Sequence, residues 1–156
     1  MAATDKGCIF VLNGPNLNLL GSREPHIYGR GTLRELEEAC LAEAQAAGFS
    51  LLFEQSNAEH VLIELIHRAG GEAAGLVINA AAFSYSSYAI VDALRACEAP
   101  IVEVHLSNIH ARDESWRSKS LISPAAAAVV SGLGFAGYGA AIRWIAHEHS
   151  KANRAR

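Results

Sequence analysis

A chain of 156 residues, 51% of them apolar, can bury roughly two thirds of its surface in a single core and is too apolar to stay disordered. Its formal net charge of −3 leaves no basic footprint for nucleic acid, so any anion site must gather its few arginines locally. Three cysteines without CxxC spacing (Cys8, Cys40, Cys97) suit reduced thiols better than a disulfide framework or a zinc site, and with no apolar leader in Met1 to Gly7 and no run near the ~18 apolar residues of a membrane span, a soluble cytoplasmic protein is expected.

Cys8 to Leu12 is a short apolar run ended by Asn13-Gly14-Pro15, which predicts a buried strand. Thr32 to Ala47 predicts a helix: Thr32 and Glu35 make a capping box, Leu33, Leu36, Cys40 and Ala44 share a stripe, and Gly48 closes it. Ser50 to Gln55 is a second strand. Asn57 can cap a helix running through Ala69, with Val61, Leu62, Leu65 and Ile66 facing inward and Gly70-Gly71 as its end. Gly75 to Asn79 is a strand, Ser86 to Cys97 a helix and Ile101 to His105 a strand. Pro124 can open a short helix over Ala125 to Ala128, Val129 to Gly134 is a fifth strand and Gly137 to Glu148 the last helix. Strands alternating with helices predict one domain over residues 1–156, a doubly wound parallel sheet with helices on both faces.

The long loops stand out. Asn13 to Gly31 spans roughly 19 residues, where βα loops usually take ~2–6. Leu106 to Ser123 is similarly long. Both follow strands, as does Asn79 to Tyr85, so all three emerge at the carboxyl edge of the sheet, where open α/β folds bind ligands.

Each loop carries polar chemistry. In the first, Arg23 and Tyr28 are five apart around Pro25. A guanidinium near a phenol favours the phenolate and makes the tyrosine a candidate base, although a packed surface tyrosine fits the spacing equally well. In the second, Asn79 ends a strand and can bind a polar ligand or cap the next helix, and Ser84, Ser86 and Ser87 suit a helix start. In the third, His105 ends a strand and can act as acid or base. It is followed by Ser107, Asn108, His110, Arg112 and Arg117, and the two arginines either clamp a carboxylate or face solvent. His105 and His110 match no metal-ligand pattern, and no Walker, GxGxxG or GxSxG sequence is present.

Taken together, these segments resemble the type II 3-dehydroquinate dehydratases. The carriers are Asn13-Gly-Pro-Asn-Leu-Asn-Leu-Leu-Gly21 with Arg23-Glu-Pro25 and Tyr28-Gly29, then Gln55-Ser56, Ile78-Asn79, Glu103-Val-His-Leu-Ser-Asn108, His110-Ala-Arg112, Ser123-Pro124, Gly132-Leu-Gly134 and Gly137-Tyr138. The resemblance implies a flavodoxin-like, three-layer αβα domain with a five-stranded parallel sheet, acting without metal or cofactor. It also implies roles: Tyr28 as the base, Arg23 as a lid arginine favouring the phenolate, Asn16 holding a water against an enolate oxygen, and His105 as the general acid. Asn79, the Leu106 and Ser107 backbone and Arg117 correspond to substrate-binding positions, and Asp92 to a residue given by a neighbouring subunit in a dodecamer of trimers. The implied substrate is 3-dehydroquinate, in a biosynthetic or a catabolic setting, with no nucleic acid or membrane partner.

Two departures touch the site. Tyr85 stands where the family usually has a histidine, which removes an imidazole and adds bulk to the pocket. The segment before Ser123 is one residue longer, which leaves open whether Arg112 or Arg117 clamps the carboxylate. Two other readings follow from Tyr85: a relative shifted to another cyclic hydroxy-ketone acid, or a non-catalytic binding protein on the same fold.

Overall fold

The computed structural model describes residues 6–155. Of the Met1 to Gly7 stretch read above for a leader, residues 1–5 lie outside that range. Strand β1 (Cys8–Asn13) leads through a short helix α1 (Pro25–Tyr28) into α2 (Leu33–Ala47), followed by β2 (Ser50–Gln55), α3 (Glu59–Glu72) and β3 (Ala73–Asn79). A split helix, α4 (Phe83–Ser86) and α5 (Tyr88–Ala96), precedes β4 (Ile101–His105), β5 (Ala128–Ser131) and α6 (Phe135–Arg154). The five strands are all parallel in the order β2-β1-β3-β4-β5, the doubly wound flavodoxin-like arrangement.

Alternation along the strands builds the two layers. Ile9 and Val11 of β1, Val77 of β3 and Val102 and Val104 of β4 meet Leu36, Cys40 and Ala44 of α2 and Tyr138, Ile142 and Ile145 of α6. Phe10, Leu12, Leu76, Ile78 and Ile101 point the other way, onto Leu62 and Ile66 of α3 and Ile90 and Leu94 of α5. Each fully buried Leu or Ile stabilises this packing by about 1.5–3 kcal/mol. Burial pushes the Cys40 thiol up to about 12, so it packs as a neutral apolar group. Cys8, Cys40 and Cys97 are all free thiols, and no helix among the described residues is long and apolar enough to cross a membrane.

The predicted capping box holds: the Thr32 hydroxyl accepts from Glu35 N–H, and the Glu35 carboxylate accepts from Thr32 N–H. Elsewhere tertiary contacts override local signals. Asn57 caps nothing; its side-chain oxygen accepts from Asn16 N–H at 2.9 Å and from Gln55 Nε2 at 3.1 Å, and Ala58 occupies the N-cap of α3. Gly70 and Gly71 lie inside α3, neither with positive φ, and the helix runs directly into β3. The predicted Ser86–Cys97 helix is broken at Ser87, whose extended backbone (φ −103°) lets its hydroxyl accept from Ile90 N–H and start α5. Strand β5 stops at Ser131 because Gly132 turns to φ +90°, and α6 then starts at Phe135, two residues ahead of the prediction. The short helix expected after Pro124 is a 3₁₀ turn over Ser123–Ala125.

Candidate active site

The cleft lies at the carboxyl ends of β1, β3 and β4, under the two long loops. It encloses about 670 Å³ including its mouth.

Its floor is set by two neighbouring strand ends. Asn13 and Asn79 pair across β1 and β3, and the buried Tyr138 of α6 bridges them: its hydroxyl donates to Asn13 Oδ1 at 2.8 Å and accepts from Asn79 Nδ2 at 2.9 Å. Burial pushes the Tyr138 hydroxyl far above the usual phenol range, so it acts as a neutral donor and acceptor. Asn79 Oδ1 also accepts from Ala81 N–H at 3.2 Å, which turns the chain away from the strand. Gly14 seals the junction. Its N–H donates to Asn79 O at 2.7 Å, and a Cβ there would lie 2.3 Å from Ala80 O, so only glycine allows the two loops to meet this closely.

On one side stands Tyr28, at the end of α1. Arg112 Nη1 donates to its hydroxyl oxygen at 3.0 Å and lies 3.4 Å from the Ser107 hydroxyl. Burial works against the Arg112 charge, but the Tyr28 bond and the nearby carboxylates of Glu114 and Glu24 raise its pKa on balance, so it is a fixed cation. Arg23 takes a different position: its Cζ stands 5.9 Å from the Tyr28 ring centroid, and its guanidinium lies 3.5 Å from Glu24. The guanidinium bonded to the phenol oxygen is therefore that of Arg112.

On the other side His105 Nε2 lies 2.6 Å from Glu103 Oε1. Both are on β4 two residues apart, hence on one face of the strand, and Glu103 has 0% exposure. Burial acts to raise the Glu103 carboxyl, but bonds from His105, Ser120 and Ser123 prevail and hold it below the usual glutamate range. Tyr85 of α4 stacks on His105 (centroids 6.3 Å, planes 27° apart) and meets Trp116 edge-on at 5.2 Å. Desolvation pushes the Tyr85 phenol up to about 12, so it stays neutral. Arg117 lies over Trp116, Cζ 4.2 Å from the ring centroid, with its Nε 3.4 Å from Glu114.

Of the residues singled out from sequence, Asn16, Arg23, Tyr28 and Asn79 line the cleft, as do Tyr85, His105, Leu106, Ser107 and Arg117. Arg112 lines it together with Arg117, so both candidate clamps face the same space. Asp92 does not; it is exposed on α5. Sequence reasoning gave no role to Glu103, Ser120, Ser123 or Tyr138. The Glu103–His105 pair had a readable signal, an acidic residue two positions before a strand-end histidine. The serines and Tyr138 act across 17 to 125 residues of chain, and no local pattern announces them. Among the described residues no group of three or more His, Cys, Asp or Glu could hold a metal ion.

A flavodoxin-like domain whose cleft holds a guanidinium-bonded phenol and a carboxylate-bonded imidazole is built as a proton-transfer enzyme. The sequence pattern of the class II dehydroquinases matches residues 7–146, and the chain belongs to that family. It is 53% identical over 143 residues to 3-dehydroquinate dehydratase 2 of Agrobacterium fabrum, covering 92% of this chain and 97% of that one. It is 50% identical over 144 residues to 3-dehydroquinate dehydratase 2 of Pseudomonas aeruginosa, with the same coverage of 92% and 97%. The solved type II dehydroquinase of Propionibacterium acnes superposes with a TM-score of 0.87 at 40% identity, covering 90% of this chain and 97% of that one.

Proposed function

We propose that this class II dehydroquinase eliminates water from 3-dehydroquinate to give 3-dehydroshikimate, with Tyr28 as base and His105 as acid. The observation that carries the reading is the pairing of two proton-transfer groups in one cleft, each with its own charged partner: Tyr28 with Arg112, and His105 with Glu103. A cation bonded to the phenol oxygen stabilises phenolate, which can remove the proton from the carbon next to the ketone. The electron pair then rests on the carbonyl oxygen as an enolate, with Asn16 holding a water against it. As the enolate collapses, His105 protonates the departing hydroxyl, and water leaves. Every step is a proton transfer or a bond cleavage within the substrate.

Asn79, the Leu106 and Ser107 backbone and Arg117 are placed in this scheme as substrate-binding groups, with Arg112 and Arg117 sharing the negative charge of the substrate carboxylate and the enolate. Arg23, partly exposed on the segment before α1, serves as the lid. Asp92 completes a neighbour's site in a homo-oligomer, a dodecamer of trimers by family likeness, and the compartment is the cytoplasm. The test is direct: purified protein mixed with 3-dehydroquinate is expected to develop the absorbance of a conjugated enone carboxylate. A folded, assembled protein that gives no such signal would defeat the reading.

A further inference from the structure

The acid side of the cleft depends on a carboxylate that is costly to keep ionised. Glu103 has no exposed surface, and an unpaired carboxylate removed from water takes up a proton instead. Three side chains prevent this. His105 Nε2 approaches Oε1 at 2.6 Å, the Ser120 hydroxyl donates to the same Oε1, and the Ser123 hydroxyl donates to Oε2. Both oxygens are thus engaged, and the carboxylate plane cannot swing away from His105.

The serines are not on the strand. They lie 17 and 20 residues beyond Glu103, on the segment that returns from the long loop toward β5, and that segment is itself anchored. Ile122, between them, is fully buried in the layer formed by α3 and α5. Leu121 N–H donates to Ser84 O at 2.7 Å, which fixes the segment to α4, the helix that carries Tyr85. The other charged or titratable groups around the pair are Tyr85 and, near it, Arg117, Tyr28 and Arg112. Among the described residues none of these hydrogen-bonds Glu103.

We infer that Ser120 and Ser123 are positioning residues for the acid: their hydroxyls hold Glu103 as a carboxylate in one orientation, and Glu103 so held orients His105 with its other ring nitrogen left for the cleft. Without the hydroxyls the dyad's proton moves toward Glu103, the carboxylate is free to rotate, and His105 no longer presents its proton in a fixed direction. The kinetic consequence rests on the dehydratase reading; the effect on Glu103 itself does not.

The experiment compares wild type with Ser120→Ala, Ser123→Ala, the double variant and Ser123→Thr. Two quantities are read: the pH titration of the Glu103 side-chain carboxyl by ¹³C NMR, and kcat and KM with 3-dehydroquinate. In the double variant the carboxyl is expected to take up its proton at higher pH than in wild type. Its kcat should fall about 10- to 100-fold, the scale of hydrogen bonds to a charged group, while KM changes by less than about threefold. Ser123→Thr keeps the hydroxyl and should behave as wild type. An unmoved titration in the folded double variant, or a threonine variant as impaired as Ser123→Ala, overturns the inference. Should the double variant fail to fold, each single variant is expected to shift the titration in the same direction by less, and no shift in either overturns the inference equally. Wild type that is inert toward 3-dehydroquinate defeats the dehydratase reading, while the titration still decides the role of the serines.

Discussion

The two sides of the cleft are built to different standards. His105 ends an interior strand, is 5% exposed, and is fixed through Glu103 to a segment far along the chain that the buried Ile122 anchors. Tyr28 ends a four-residue helix in the middle of a crossing loop, and the residues just before it are open: the Arg23 and Glu24 side chains are 38% and 37% exposed. Glu24 has φ 42°, a left-handed backbone that costs a non-glycine residue about 1–3 kcal/mol. The strain lies just ahead of the proposed base, in a segment with few buried side chains, the setting in which the proposed lid would close over a ligand. The proposed acid is pre-set by the sheet, and the proposed base is carried on a loop. Under the proposed scheme the sheet side sets orientation, and the loop side sets when the site is complete.

The strongest way to break this comparison is to remove the oxygen of the proposed base. Tyr28→Phe is expected to keep the fold and lower kcat by ~10²–10⁴-fold or more. A phenylalanine variant with a near-normal rate would show that the loop side only shapes the cleft. Next come the two arginines on Tyr28. Arg112→Ala, which deletes the bond to the phenol oxygen, should lower kcat about 10- to 100-fold. Arg23→Ala should act more on KM, as expected of a residue that closes over bound anion. The opposite pattern, with kcat lost at Arg23 and spared at Arg112, would assign phenolate stabilisation to the lid. Limited proteolysis gives an independent reading: cleavage within Leu20 to Tyr28 should slow when a substrate-like acid is bound, and equal cleavage with and without it would count against a lid.

How much of this was legible in the sequence follows the range of the interactions. The βα alternation, the Thr32–Glu35 capping box and the strand ending at His105 are local, and all were readable from spacing and residue type. So was the convergence of three loops, because parallel topology sends every β-to-α loop to one edge. Gly70-Gly71 misled because a glycine pair signals a stop only where the chain needs positive φ, and here α3 passes straight into β3. Arg112 and Arg117 could not be ranked because both reach the same cleft. The bond from Arg112 to Tyr28 closes across 84 residues, and the Tyr138 bridge to Asn13 across 125; only the folded chain reveals such pairs.

That bridge supplies a smaller test on the sheet side. Tyr138→Phe preserves volume but leaves Asn13 Oδ1 and Asn79 Nδ2 without their phenol partner, which should cost about 1–3 kcal/mol of stability. Denaturant unfolding measures it. A neutral result would mean that the floor of the cleft does not need its bridge. The Glu103 carboxylate gives the matching pH test. Its folded-state pKa is depressed, so its contribution to stability is present above the ordinary glutamate range and is lost as pH falls through the folded value. The stability gap between wild type and Glu103→Gln should accordingly narrow as the solution is acidified below that range, and a gap that widens there would contradict an ionised Glu103.

The smallest expected effect is at Tyr85, where the sequence departs from the family's usual histidine. The phenol ring lies between His105 and Trp116, half-buried and neutral. A histidine there would be smaller, would give up part of the contact with Trp116, and would meet Arg117 and Arg112 nearby, a surrounding that disfavours a second positive charge. The replacement thus exchanges one neutral hydrogen-bonding ring for another, and Tyr85→His should change binding by no more than about 1–3 kcal/mol, the scale of a single buried hydrogen bond. The ratio of kcat/KM for the two proteins with 3-dehydroquinate is the measurement. A wild type nearly inert toward this compound, with a gain above about 10³-fold (~4 kcal/mol) in the histidine variant, would mean that Tyr85 has turned the cleft toward a different cyclic hydroxy-ketone acid. A modest change in either direction would mean instead that the cleft, with Trp116 edge-on to Tyr85, accommodates the larger ring, leaving the proposed base, acid and substrate as assigned.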